Sequence, residues 1–319
     1  MKKFYYLGAL ACGLFLSACS SDSEPDHTTE SAKLCIKFVY DYNMLWTNAF
    51  QQQVSSVNVW AFDSSGALAW SGASSVSEST AKDFQLNADL KEGKYDLVAW
   101  CGLNGNEAVD ISSYEPKSKD ELEVTIKTVD ANGLHVSDQY LSGLFNASLS
   151  GVNVVYGSGN ASSNTVTLHL IKDTKDISVI LQYADGTPVD GSDFWVTITD
   201  ANGKYAWDNS ILTAPAVTYY PWKRTNGTFE LSTGRLITGS DARLTVNSRV
   251  NNNDIINIPL INYLLLVKDN YDQNLSNQEY LDRQDNYSLV FTLSNDDNWD
   301  MNAGVIINDR VVRLFGEEL

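Results

Sequence analysis

Short runs of alternating apolar residues, each closed by a turn built from Asp, Asn, Ser or Gly, limit what this 319-residue chain can fold into. In the first half the runs are Lys33–Tyr40, Val54–Phe62, Ala67–Ser71, Lys82–Ala88, Gly93–Cys101, Leu122–Val129 and Val166–Ile171. In the second they are Asp176–Tyr183, Phe194–Thr199, Thr228–Leu231, Ala242–Val246 and Ile255–Val267. A period of two sends successive side chains to opposite faces of a pleated strand, so each run has one face to bury. Many short strands with few helical patterns favour sandwiches over a doubly wound sheet. Pro259 lacks an amide hydrogen and marks a bulge or an edge.

Two helical stretches are expected at most. Trp46, Phe50 and Val54 recur at spacings of four and predict a helix over 46–54, covering one end of the first sandwich. A second short helix or an irregular stretch is expected over Asp138–Leu144. Val57–Gly66 and Val196–Gly203 share the order strand, Asp, Gly turn. That is compatible with an internal duplication and equally with two unrelated hairpins.

The length suggests two domains. Tyr156–Asn164 is rich in Gly and Ser, which places a boundary between Gly157 and Asn164. The expected units are a sandwich over 32–163 and a second over 164–319. The strand Val166–Ile171 could serve either.

The amino terminus carries Lys2 and Lys3, an apolar stretch from Phe4 to Leu16, and then Ser17-Ala18-Cys19. Residues 1–18 read as a secretory signal, too short to be a comfortable membrane span. Leu16-Ser17-Ala18-Cys19 looks like the bacterial lipobox, which makes Cys19 the expected lipid-attachment residue. Each buried methylene adds about 0.8 kcal/mol of membrane affinity, so the several chains of a lipidated cysteine hold firmly. Residues 19–31 have no hydrophobic anchor and read as a flexible acidic tether.

Charge narrows the partners. There are 22 Lys plus Arg against 40 Asp plus Glu, and loss of the signal removes two of the lysines. So acidic a chain is unsuited to nucleic acid and to anionic lipid surfaces. Cys35 and Cys101 could form a disulfide in an oxidising compartment, and two free thiols fit equally well.

No catalytic constellation is readable. His27, His135 and His169 share no metal-ligand spacing. There is no glycine-rich phosphate loop and no Gly-x-Ser-x-Gly elbow. Asn251–Asp254 and Asn295–Asp297 offer oxygen ligands without the spacing of a calcium loop, and read as solvated turns. No enzyme activity, cofactor, metal or small-molecule substrate is expected. Among eight Trp, Trp60 and Trp100 lie in strands and should pack in cores, while Trp207 and Trp222 are the better candidates for exposure. An exposed aromatic face would suit a surface glycan-binding lipoprotein.

The run Phe38–Met44, followed by Ala49-Phe50, Val54–Val57, Val59–Gly66 and Gly93–Trp100, resembles the FimB/Mfa2 family of fimbrial anchor lipoproteins of Bacteroidales. Gln278–Leu293, Trp299 and Gly304–Asn308 extend the resemblance towards the carboxy terminus. It implies an all-β chain: two transthyretin-like Greek-key β-sandwich domains in tandem, with minor helices. It also implies a lipid-anchored subunit, surface-exposed at the outer membrane, that holds the base of the fimbrium and helps limit its length. The family's lipid-bearing position falls on Cys19. A fimbrial shaft or tip adhesin is the alternative within the superfamily.

The resemblance further implies a shaft-subunit partner bound by strand complementation, in which one subunit's strand fills another's open sheet edge. In shaft subunits, cleavage after a basic residue, typically Arg, removes the first strand. This chain has no Arg before Arg224, leaving Lys33 and Lys37 as sites for a different protease. Cutting there would detach the lipid, so the first strand is expected to stay. Gly304–Phe315 is either a donor strand or the strand that completes its own domain. Asn308-Asp309-Arg310 departs from the family's Asn-Trp and bears on how the last strand packs.

Overall fold

The computed structural model describes residues 32–77, 81–156 and 164–312. The chain is all-β and folds as two sandwiches in tandem. The first half contributes β1 (Ala32–Val39), β2 (Ser56–Asp63), β3 (Leu68–Ser75), β4 (Gln85–Leu90), β5 (Gly93–Cys101), β6 (Val109–Ile111), β7 (Val124–Ile126), β8 (Val129–Ala131), β9 (Leu134–Ser137), β10 (Phe145–Val154), β11 (Thr165–His169) and β12 (Ile171–Lys172). The second contributes β13 (Lys175–Tyr183), β14 (Phe194–Asp200), β15 (Lys204–Tyr205), β16 (Val217–Tyr219), β17 (Lys223–Thr225), β18 (Thr228–Thr233), β19 (Arg243–Ser248), β20 (Asp254–Pro259), β21 (Asn286–Leu293), β22 (Val305–Ile307) and β23 (Arg310–Val312). Three short helices accompany them: α1 (Phe50–Gln53), α2 (Leu260–Leu265) and α3 (Asn277–Arg283).

The same strand order runs twice. One sheet of the first sandwich is β11-β1-β4, and its counterpart in the second contains β21-β13-β18. In both, the opening strand is parallel to one neighbour, β11 or β21, and antiparallel to the other, β4 or β18. The facing sheets contain β10-β5-β2-β3 and β20-β19-β14-β16, antiparallel throughout. The recurrence of Val57–Gly66 at Val196–Gly203 thus falls on topologically equivalent strands, β2 and β14. Only the first is a tight hairpin. After β14 the chain detours through β15 before β16 returns.

The central strands β2 and β5 bury both faces. Val57, Val59, Ala61, Leu97, Ala99 and Cys101 fill the core of the first sandwich. Trp60, Phe62, Val98 and Trp100 point the other way, into a core shared with the second. Trp100 lies 5.8 Å from Tyr205 between ring centroids, and Trp60 Nε1 donates to the Tyr114 carbonyl at 2.9 Å. Two strand exchanges reinforce the join. Parallel pairing sets β9 beside β16, and β7 pairs with β15.

These pairings move the expected boundary. Thr165–His169 lies beside β1, and Ile171–Lys172 pairs with β10, so strands after 164 belong to the first sandwich. Val129–Ser137 meanwhile extends a sheet of the second. The Gly/Ser-rich residues 157–163 lie outside the described residues.

The expected helix over 46–54 shrinks to α1. Phe50 and Val54 are buried as its periodicity requires. Trp46 is not part of it: φ is +54° and its side chain is exposed. Asn43 and Asn48 explain this. Asn48 Oδ1 accepts from the amides of Tyr40 and Phe50, and Asn43 bonds the carbonyls of Tyr40 and Thr47 and the amide of Leu45. Such side-chain bonds offer the backbone an alternative to the helix. Asp138–Leu144 is irregular. The expected strand Ile255–Val267 splits. β20 is an edge strand that stops at Pro259, and α2 follows, burying Leu260, Ile261, Tyr263 and Leu264. Helix α3 is N-capped by Ser276, whose Oγ accepts from the Glu279 amide at 3.1 Å, while the Glu279 carboxylate pairs with Arg283 one turn on.

Candidate functional site

Three places bear on the attachment of a partner or of the chain itself: the slot of the first strand, the terminal hairpin, and the junction between the sandwiches. Cys19, the signal and the tether lie outside the described residues.

Strand β1 is the middle strand of its sheet. Leu34 and Ile36 are fully buried, and Ala32 and Phe38 nearly so. Phe38 stacks on Phe50 at 5.7 Å and lies 5.8 Å from Phe84. Burying each large apolar side chain stabilises the strand by about 1.5–3 kcal/mol. Lys33 and Lys37 alternate outward, yet their backbones are held in the ladder. Lys33 faces Asp89, and Lys37 faces Gln85 on one side and Thr167 on the other. A protease must take its substrate as an unpaired extended chain, so cutting at either lysine requires this strand to leave the sheet first.

The same alternation separates the two thiols. Cys35 sits between buried neighbours and turns away from the core, where its Sγ donates to Gln85 Oε1 at 3.0 Å. Cys101 is fully buried in the facing sheet, and burial pushes its thiol up. Both are free, and the pairing weighed for them is not formed.

At the other end of the chain, β22 completes its own domain. It pairs with β21, and Val305 and Ile307 are fully buried. Asn308 and Asp309 adopt φ of +49° and +64° and turn the chain tightly into β23. Two positive-φ residues in a two-residue hairpin loop match the right-handed strand twist. This is the structural role of the departure at Asn308-Asp309. Asn308 Oδ1 also accepts from the Ser288 amide at 2.8 Å. β23 is the edge of the sheet, with Arg310 and Val311 exposed. The remainder of the expected donor segment, 313–315, lies outside the described residues.

The junction holds charges that the sequence pattern did not single out. Arg235 forks onto Asp282 at 2.7 and 2.8 Å and donates to the Asn209 carbonyl. Lys175, fully buried, donates to the Asp282 carbonyl at 2.7 Å. Tyr40, just after β1, donates to Asp285 Oδ2 at 2.8 Å, and Lys172 lies 3.5 Å from the same atom. Arg283 of α3 donates to the carbonyls of Asp41 and Asn43 and lies 3.6 Å from the Trp46 ring centroid. Asp173 is buried with the Asn209 amide on Oδ1 at 2.8 Å. Burial pushes Asp173 up to about 7, against the pull of Arg235. Burial also lowers Lys175. Removing one member of such a buried pair costs about 3–5 kcal/mol, because the other is left uncompensated. The segment after β1 is therefore bound to the second sandwich through named charges.

The remaining sequence candidates are local. Trp60 and Trp100 are core residues, as expected. Trp222 is exposed beside Tyr140 at 5.0 Å, whereas Trp207 is partly buried with Lys119 Nζ 4.3 Å from its centroid. Trp46 and Trp195 are exposed too; Trp195 alternates with buried Phe194 and Val196, so the period of two sets it on the outer face of β14. His169 bonds Asp41 at 3.1 Å at the surface, and His135 lies 3.5 Å from Thr128 Oγ1. Among the described residues no three His, Cys, Asp or Glu side chains gather as metal ligands, and no helix is long and apolar enough to cross a membrane.

A family described as fimbrillin-A associated anchor proteins Mfa1 and Mfa2 matches residues 19–314. Among solved structures, a Bacteroides thetaiotaomicron protein provisionally described as polysaccharide-binding is 27% identical, with a TM-score of 0.77 over 89% of this chain and 98% of that one. A second protein of that organism, provisionally described as an adhesin, is 30% identical, with a TM-score of 0.76 over the same shares. The fimbrial anchor protein Mfa2 from Porphyromonas gingivalis shares the fold at 16% identity, with a TM-score of 0.69 over 89% of this chain and 100% of that one. No curated protein matches the chain.

Proposed function

The chain belongs to the family of fimbrillin-A associated anchor proteins, and on that premise we propose that it is a non-enzymatic anchor subunit. In this reading Cys19 carries the lipid that attaches it to the outer membrane. The acidic tether spaces the fold from the surface. The folded chain holds the base of a fimbrium and helps limit its length, engaging a shaft subunit by strand complementation.

The observation that carries the reading is the setting of β1. It lies inside its sheet, paired on both sides, with Leu34 and Ile36 in the core. No Arg precedes Arg224. A chain that keeps its first strand keeps everything upstream of it, including Cys19. Its β1 position is filled rather than open to a neighbour's strand, so it is suited to one end of a polymer. Its exposed terminal edge β23 is the strand offered to the shaft. Tyr40, Asp41 and Asn43 link β1 to α3 and Asp285, which gives pull on the second sandwich a path to the tethered strand.

Deletion of the gene tests the role. Fimbriae shed into the medium or grown abnormally long are the expected result. Fimbriae of normal length that stay on the cell contradict it.

A further inference from the structure

One end of the second sandwich carries an open groove, lined by the exposed side chains of Asp190, Ser192, Arg224, Asn226 and Arg249. It lies far in sequence from the anchoring features, and its walls are built. Asn226 and Gly227, with φ of +41° and +74°, make the tight turn between β17 and β18 that carries Arg224. A Cβ on Gly227 would come within 2.6 Å of the Leu181 carbonyl, so the turn is seated directly on β13. Gly191 packs against the backbone of Gly227, which fixes the Asp190–Asp193 turn opposite.

The two arginines are unusual in this acidic chain. Neither guanidinium has a carboxylate within salt-bridge distance or a hydrogen bond to the protein among the described residues. Both are instead held by one indole. Arg249 lies 3.4 Å and Arg224 5.4 Å from the Trp195 ring centroid, and Tyr220 meets that ring edge-on at 6.1 Å. Burial and the charge of Arg249 lower Arg224. Two planar cations set against one indole and lining one groove, with their N–H forks uncommitted, are suited to a carboxylate or another planar anion.

The rest of the lining narrows the ligand. A bare polyanion would meet the Asp190 carboxylate in the same groove. A sugar hydroxyl would find it a hydrogen-bond acceptor, with Ser192, Thr225 and Asn226 as further polar partners. We propose that Arg224 and Arg249, positioned by Trp195, bind the carboxylate of an acidic saccharide whose hydroxyls are met by Asp190, Ser192 and Asn226. The site does not depend on how the protein is attached to the cell.

Isothermal titration of the acyl-free chain with a galacturonic acid trimer, a neutral galactose trimer and inorganic phosphate tests this. The acidic trimer should bind, and the neutral trimer and phosphate should bind at least tenfold more weakly. The double variant Arg224→Ala, Arg249→Ala should lose at least tenfold in affinity for the acidic trimer while keeping the wild-type melting temperature. The milder pair Arg224→Lys, Arg249→Lys serves if the alanine pair unfolds, and should lose affinity because the fork is lost while the charge remains. Absence of binding by the wild type overturns the proposal. So does equal affinity for the neutral trimer or for phosphate, or unchanged affinity in a folded double variant.

Discussion

The two sandwiches run one strand order and finish their parallel edges differently. In the second, β21 lies beside β13 and is itself covered by β22 and β23. In the first, β11 lies beside β1, and among the described residues that sheet goes no further. An open edge is a row of backbone groups ready for another strand. The second sandwich moves that row outward onto a terminal hairpin with Arg310 and Val311 exposed. The first encloses its opening strand, whose upstream residues lead to Cys19. Repeating a topology thus leaves one end of the chain locked in and the other presented.

Ile36→Asp should break this comparison most severely. A carboxylate in the core of the first sandwich has no partner, and about 4 kcal/mol or more should be lost in urea denaturation of the acyl-free chain. A loss below 1 kcal/mol would mean that β1 is not held as described. Next comes the junction. Asp285→Ala removes the carboxylate that Tyr40 and Lys172 of the first sandwich reach across to, leaves buried Lys175 without it as well, and should cost about 3–5 kcal/mol. It should also separate one unfolding transition into two when followed by a probe in each sandwich.

A pH series sharpens the same point. Burial pushes Asp173 up to about 7 and Asp200 up to about 6. Between about pH 4 and these values the folded chain holds protons that the unfolded chain has released. Their contribution is therefore greatest at low pH and falls as pH rises towards 7. Melting curves of Asp173→Asn should show a flatter decline between about pH 6 and 7 than the wild type. Smaller again is Asn308→Val, which places a β-branched residue at positive φ and should cost about 1–2 kcal/mol in chemical denaturation. Smallest is Val311→Asp on exposed β23, expected within about 0.5 kcal/mol. That substitution should nevertheless weaken capture of the shaft subunit in a pull-down if the edge is the one offered.

Alternation was enough to read most strands and the fold class, because period two is local and each strand has a face to bury. Val57–Phe62 also carried apolar residues on both parities, the mark of a strand buried on both faces, and that is how Trp60 and Trp100 come to join the two cores. The domain boundary was not legible. Parallel pairing of β1 with β11 links residues more than a hundred apart, and a Gly/Ser-rich loop looks the same within a domain as between two. The helix over 46–54 failed because Asn43 and Asn48 bond the backbone that the apolar spacing would have wound. Helices α2 and α3 did leave signals, in Leu260–Leu264 and in the N-cap Ser276 with Glu279 three residues on, but a short apolar run reads equally well as a strand. The junction charges and the Trp195 cluster could not be seen, since an isolated Asp, Lys or Arg in a sequence looks like solvated surface until the fold assembles it.

The most direct test of the anchoring account is the mass and amino-terminal state of the protein extracted from outer membranes. The account predicts a chain that begins at an acylated Cys19 and retains Ala32–Val39. A chain beginning after Lys33 or Lys37, or an unacylated chain that washes off the cell, would contradict it.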